Sequence, residues 1–311
     1  MAGLLTVDFL TALLFGAVTA GVPLLLAGLG EQISEKAGVL NVGIEGMMLF
    51  GADTGFVAAF YSGSFWLGFL AGGAGGAAVA LLMALFCIRL GMNQIVIGIA
   101  LTLSAQGLTA LLHHFQFSRS YPRLGEAPSL ALPLLGDVPI LGRGLFQHHP
   151  LVYATVALVL ALLWLFRSSY VGLNLEAAGD SPAALDAAGV DVYRVRAGAV
   201  LATGFLAGVG GAYLANVGAG LFVPFMTNGA GFIGIVLAML ARGQPLWVLL
   251  GAALFGVSLA LTTALQVAGV NVPTDVVQML PFAMVMLVLV LFARHSYLPL
   301  ALGLPYVRGE R

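Results

Sequence analysis

The sequence predicts an all-α fold: a polytopic transmembrane helix bundle of about eight to ten spans with broken helices, organised as one domain over residues 1–311. Three observations carry the prediction. Only 8% of the residues are charged and 60% are hydrophobic, where a soluble domain carries about a quarter charged residues. Apolar stretches of about 20 residues recur along the chain, the length a helix needs to cross roughly 30 Å of hydrocarbon. Those stretches are apolar on all sides, as over 152–166, instead of alternating with the period of two that a membrane barrel demands.

Polar punctuation divides the chain into candidate spans at 4–29, 39–61, 64–88, 93–112, 150–166, 197–217, 229–241, 245–267 and 276–293. The first residues lack a basic start and a small-residue cleavage site, so 4–29 is expected as a retained helix and not a removed leader. Many of the 42 glycines lie inside the apolar stretches, at Gly72, Gly73, Gly75 and Gly76 and again at Gly204, Gly208, Gly210 and Gly211. Small residues there let helix backbones approach closely, which indicates a tightly packed bundle. The stretch 229–241 is too short to cross squarely and reads as a broken or re-entrant helix, a form tolerated only where protein or a water-filled cavity covers its free backbone groups.

Lys and Arg concentrate in cytoplasmic loops of membrane proteins. With the loop 168–196 inside, nine of the twelve basic residues fall at cytoplasmic ends: Lys36, Arg89, Arg167, Arg194, Arg196, Arg242, Arg294, Arg308 and Arg311. Arg119, Arg123 and Arg143 fall in the polar segment 113–149, which then forms an external cap. The amino terminus lies outside and the carboxyl terminus inside.

Several chemistries are excluded. Cys87 is the one cysteine, so neither an internal disulfide nor a cysteine-based zinc site can form. The net charge of −1 says nothing about nucleic acid, and none is expected as a partner. The chain has no Gly-x-x-x-x-Gly-Lys-Ser/Thr loop, so it does not hydrolyse ATP by itself, and no hydrolase elbow or His-Glu-x-x-His helix. The pairs His113 and His114, and His148 and His149, show no metal-ligand spacing and are expected as solvated loop histidines.

Three places depart from a plain bundle. In 30–52, Asn41 and Glu45 stand one helical turn apart on one face at the start of an apolar span, with Gly43 and Gly46 loosening the helix. An ionisable group in a span is a functional residue or a structural cap, and both readings stay open for Glu45. In the loop 168–196, Ser181 suits an N-cap, Pro182 a first helical position and Gly189 the residue after the last turn, which specifies a helix of about seven residues. Its alanines offer a narrow face for a partner's groove, and Leu185 an apolar anchor. Elsewhere Asn93 and Gln94 open one span, and Asn228, Gly229, Gly231 and Phe232 open the short one, the kind of break that marks a transporter's solute site. An ion-coupled carrier would need an intramembrane relay, for which Glu45, Asp53 and Asp275 are the candidates.

The segment Glu35-Lys36-Ala37-Gly38-Val39-Leu40-Asn41-Val42-Gly43-Ile44-Glu45-Gly46-Met47-Met48 resembles the second-span signature of the permeases of bacterial ABC importers, in the branched-chain amino acid and simple-sugar group and within it the nucleoside type. Glu176-Ala177-Ala178-Gly179-Asp180, Ala183-Ala184 and Ala187-Ala188-Gly189 resemble the coupling-helix region of those proteins, and Arg196 before a glycine-rich span also fits. The resemblance implies a type II-like permease in the bacterial inner membrane, with nucleosides or simple sugars as solutes. It implies as partners an ABC ATPase subunit, a second permease subunit, identical or related, and an extracytoplasmic solute-binding protein. ATP and Mg would sit on the ATPase and no cofactor on this chain. Glu176, Ala177, Asp180, Ser181, Pro182, Ala184, Asp186 and Gly189 are then expected to couple to the ATPase, and Asn41, Glu45, Asn93, Gln94, Asn228 and Phe232 to line the translocation pathway.

Overall fold

A computed structural model describes residues 7–131, 140–267 and 298–308, with single positions 136, 138, 279, 283, 286, 287 and 290. Asp275 and most of the expected span 276–293 lie outside the described residues. Among the described residues, five helices are long and apolar enough to cross a membrane: Val7–Lys36, Phe65–Arg89, Gln94–Phe117, Pro150–Ser168 and Val192–Ala219. In chain order the elements are α1 (Val7–Lys36), α2 (Ile44–Ser62), α3 (Phe65–Met83), α4 (Gln94–Phe117), β1 (Leu130–Ala131), α5 (Leu141–Leu145), β2 (Gln147–His148) and α6 (Pro150–Ser168). There follow α7 (Tyr170–Asp180), α8 (Pro182–Ala187), α9 (Val192–Tyr213), α10 (Ala230–Leu240) and α11 (Pro245–Val267). A π-helical turn extends α3 over Ala84–Arg89 and another extends α9 over Leu214–Ala219. The 19-residue α2 carries two buried carboxyl groups, Glu45 and Asp53.

Helix packing follows the glycines, because between helices in lipid van der Waals contact takes over from the hydrophobic effect. Where α2, α3 and α9 cross, the backbones touch. A methyl group at Gly51 or Gly72 would strike Gly208 or Ala212, and one at Gly211 would strike the Met48 carbonyl. On the other side α11 lies antiparallel against α1, with Gly16 on Ala260, Gly21 on Ala252 and Gly28 on Val248. Hydroxyls hold α1 to α9: Ser34 and Thr203 are 2.7 Å apart, and Thr203 Oγ1 donates to the Gly30 carbonyl at 2.6 Å.

The polar segment 113–149 contains a minimal antiparallel pair, Leu130 opposite His148 and Ala131 opposite Gln147, followed by α6. Three of its four bracketing histidines are buried, which corrects the expectation of solvated loop residues. His113 lies on α4 among the rings of Phe117, Tyr121 and Phe222. His148 stacks on Phe15 at 4.5 Å, with Nε2 2.9 Å from the Gly144 carbonyl. His149 caps α6 by accepting from the Leu151 amide at 3.1 Å. Burial lowers the pKa of His148 and His149, so both imidazoles stay neutral to lower pH than an exposed histidine does. The error has a plain cause: paired histidines beside a polar segment look solvated, whereas α4 continues to Phe117 and α1 covers the hairpin.

Candidate functional site

The chain between α1 and α2 is not helical, although hydropathy alone extends a span from residue 39. Gly38, at φ +81°, ends α1 in the left-handed conformation, and residues 39–43 then run back among the helices. Free backbone donors there are met by side chains. Glu31 Oε1 accepts from the Asn41 amide at 3.0 Å, and Gln94 Oε1 accepts from the Leu40 amide at 2.8 Å. Asn41 and Gln94 are both buried, and the Asn41 carboxamide donates to Met47 Sδ. Asn93, by contrast, is exposed and caps α4, its Oδ1 accepting from Ile95 and Val96 at 3.0 and 3.1 Å.

A second break lies at the start of α10. The chain leaves the π-helical turn after α9, runs without helix over 220–229 and enters α10 at Ala230. Gly234 packs on Ala27 and Gly243 on Lys36, so α10 runs parallel to α1 and ends beside its carboxyl-terminal end. Eleven residues at 1.5 Å each give about 16 Å. Its amino-terminal end therefore lies about 16 Å back along α1, roughly half of a ~30 Å hydrocarbon layer, and lipid offers no acceptor to free amides there.

Glu45 satisfies them. From the first turn of α2 its Oε1 accepts from the Thr227 hydroxyl at 2.6 Å and the Gly229 amide at 2.9 Å, and its Oε2 accepts from the Gly231 amide at 2.7 Å. The carboxylate also complements the positive end of the α10 dipole. Gly231 has to be glycine, since a Cβ there would lie 2.6 Å from the Glu45 Cα. The two breaks are thus joined through one buried carboxylate. Asn228, in the left-handed region at φ +42°, and Phe232 lie beside this joint and are exposed. Thr227 carries no sequence signal beyond being polar in an apolar region.

The segment 168–196 is more ordered than a loop with one short helix: α7 occupies its first half and α9 already begins at Val192. The short helix α8 forms with Pro182 in its first turn, and Gly189 follows it at φ +85°. The Ser181 hydroxyl makes no capping bond; the Ser181 carbonyl instead accepts from Ala184 and Leu185. Ala183, Ala184, Ala187 and Ala188 are exposed, as a docking face requires. Leu185 is not part of that face. It is buried against Ala178, Val192 and Tyr306 and anchors α8 to its own chain.

This region is fastened to the bundle. Lys36 Nζ lies 3.4 Å from Glu176 Oε2 and 5.1 Å from the Phe166 ring centre. Arg196 donates to the Ala178 carbonyl at 3.0 Å. A cavity of about 30 Å³, enough for one or two waters, is lined by Gln32, Glu35, Lys36, Glu176, Asp180 and Arg242. It brings the ends of α1 and α7 and the turn after α10 to one place. Gln32 carried no sequence signal apart from being polar near a helix end, and Glu35 only its place at the start of the family-like segment.

The profile of a family described as branched-chain amino acid transport system / permease component matches residues 13–289. The chain is 41% identical over 254 residues to the putative glucose ABC transporter permease protein TsgC13 of Haloferax volcanii, covering 80% of this chain and 76% of the relative. It is 32% identical over 300 residues to the nucleoside ABC transporter permease protein NupC of Lactococcus lactis, covering 93% and 94%. It is 30% identical over 320 residues to the guanosine ABC transporter permease protein NupQ of Bacillus subtilis, covering 98% and 99%. With the helical bundle and its buried breaks, these matches show a multi-pass protein of the cell membrane that belongs to the branched-chain amino acid type family of ABC transport permeases.

Proposed function

We propose that this chain is the transmembrane permease subunit of an ATP-driven importer that forms the translocation pathway for nucleosides or related small polar solutes. The observation that supports this best is α8: a short helix with an exposed alanine face, fixed to the bundle by Leu185 and lying between elements that reach both helix breaks. The full-length similarity to nucleoside and guanosine permeases favours nucleosides. The 41% relative favours simple sugars as the second reading.

In this mechanism a separate ATPase subunit, carrying ATP and Mg, grips α8. Its closure moves α8 and α7 together, because Ser181 alone separates them. The movement passes through Glu176 to Lys36 at the end of α1, and from there to the turn after α10. The solute passes between this chain and a second permease subunit along a surface that includes Asn228 and Phe232, after delivery by an external binding protein. Asn41, Gln94 and Asn93 shape the pathway indirectly, by holding the first break and the start of α4.

Replacing Ala184 with Glu places a charge on the docking face without touching the core. Uptake is expected to fall at least tenfold and ATP hydrolysis to lose its dependence on solute, with the permease still monodisperse. Normal coupled uptake by A184E would remove α8 from the coupling role.

A further inference from the structure

The carboxyl-terminal segment 298–308 carries no motif, yet it is fastened along the cytoplasmic face at five points. The Ala301 amide donates to the Gly179 carbonyl at 2.8 Å, and the Gly303 amide to the Gly38 carbonyl at 3.0 Å. Arg196 Nη1 donates to the Leu304 carbonyl at 2.8 Å and Tyr193 Oη to the Tyr306 carbonyl at 3.0 Å. Arg308 Nε lies 3.0 Å from Asp186 Oδ2. These bonds tie α7, α8 and α9 to the turn that opens the break before α2.

While its backbone is held, its large side chains are not. Leu300 is 84% exposed, Leu304 58% and Val307 49%. The strap belongs to the face that carries Lys36, Arg194, Arg242 and Arg308, the cytoplasmic one. Arg308, itself 74% exposed in its side chain, flanks Val307, so this end faces water and not acyl chains. Apolar side chains grouped on a wet face mark a contact surface. The group is continuous with α8 through Tyr306, which packs against the Leu185 cluster, and through the Asp186–Arg308 pair.

We propose that the strap 298–308 is the second half of the surface on which the ATPase subunit docks, with Leu300, Leu304 and Val307 bearing on the ATPase beside the alanine face of α8. The inference rests on the importer reading above. It also gives the stroke a second route: the Gly303 to Gly38 bond reaches the first break without passing through α7 and Lys36.

The test uses the full chain, co-expressed with its ATPase and purified through a tag on the permease. Leu300→Asp combined with Val307→Asp is expected to lower the recovered ATPase at least tenfold, with the melting temperature of the permease unchanged. Leu300→Ser with Val307→Ser serves if the aspartates disturb folding, and must lose ATPase in the same way. A folded serine variant that keeps its ATPase and its uptake overturns the strap assignment, including when it binds lipid more weakly. If A184E loses the ATPase while the strap variants keep it, only the strap fails; if the unaltered chain recovers none, the importer reading fails with it.

Discussion

Glu45→Ala is expected to leave the permease poorly folded, and Glu45→Gln to restore only part of the loss. Alanine strands three donors, from Thr227, Gly229 and Gly231, of which those of Thr227 and Gly231 are buried. Each unsatisfied buried donor costs about 1–3 kcal/mol, so the alanine variant loses roughly 3 kcal/mol or more. Glutamine keeps one acceptor oxygen but turns an NH2 group toward a donor, which leaves a deficit of about 1–3 kcal/mol. Melting of the purified permease in nanodiscs reads the order directly: native above E45Q, and E45Q above E45A. Uptake should follow, because the joint between the breaks sets where Asn228 and Phe232 stand. A conservative change on an exposed helix face, Leu160→Ile, is the control and should shift neither. Equal melting of E45A and the control would show that the α10 amides find other partners, and the joint would lose its role.

The second large effect is steric. Gly208→Val is expected to prevent the permease from accumulating as a monodisperse species, since any side chain at this position drives into the Gly72 carbonyl and α3 cannot withdraw without leaving α2 as well. Overpacking a tight core typically costs about 1–3 kcal/mol, and a helix crossing at backbone contact has less room to yield than that average implies. Gly198 and Gly107 are also helical glycines, but nothing lies within 4 Å of a methyl group at either. Gly198→Ala and Gly107→Ala should express normally and melt at or slightly above the native temperature, because alanine favours helix over glycine by about 1 kcal/mol. Size-exclusion profiles of the three variants from the same membranes decide the matter. Indistinguishable profiles would mean that the α2, α3 and α9 crossing tolerates separation.

Gly208 and Gly198 show where sequence reading stops. Both are glycines in one apolar span, and although the cluster around Gly208 suggested close packing, only the neighbour across the interface shows how little room each position has. Histidine pairs misled for the same reason: His148 is polar by chemistry, but Phe15, far away in sequence, covers it. Leu185 shows the converse, an apolar residue on a short polar helix whose natural reading as a partner's anchor fails once Tyr306 fills that side.

Most span positions among the described residues, the short helix after Pro182, the break near residue 229 and the family signature around Asn41 and Glu45 were legible in the chain. Each depends on interactions within a few residues: transfer of an apolar stretch into hydrocarbon, a ring that presets φ, a glycine that can turn left-handed. The carboxylate that completes the α10 end, the glycines that bring helices into backbone contact and the strap under α8 belong to the tertiary structure. Glu45 and Thr227 are 182 residues apart, and Tyr193 and Tyr306 are 113 apart. No local rule pairs them, because what selects each partner is the cost of leaving a donor, a void or an apolar side chain uncovered once the whole bundle has closed.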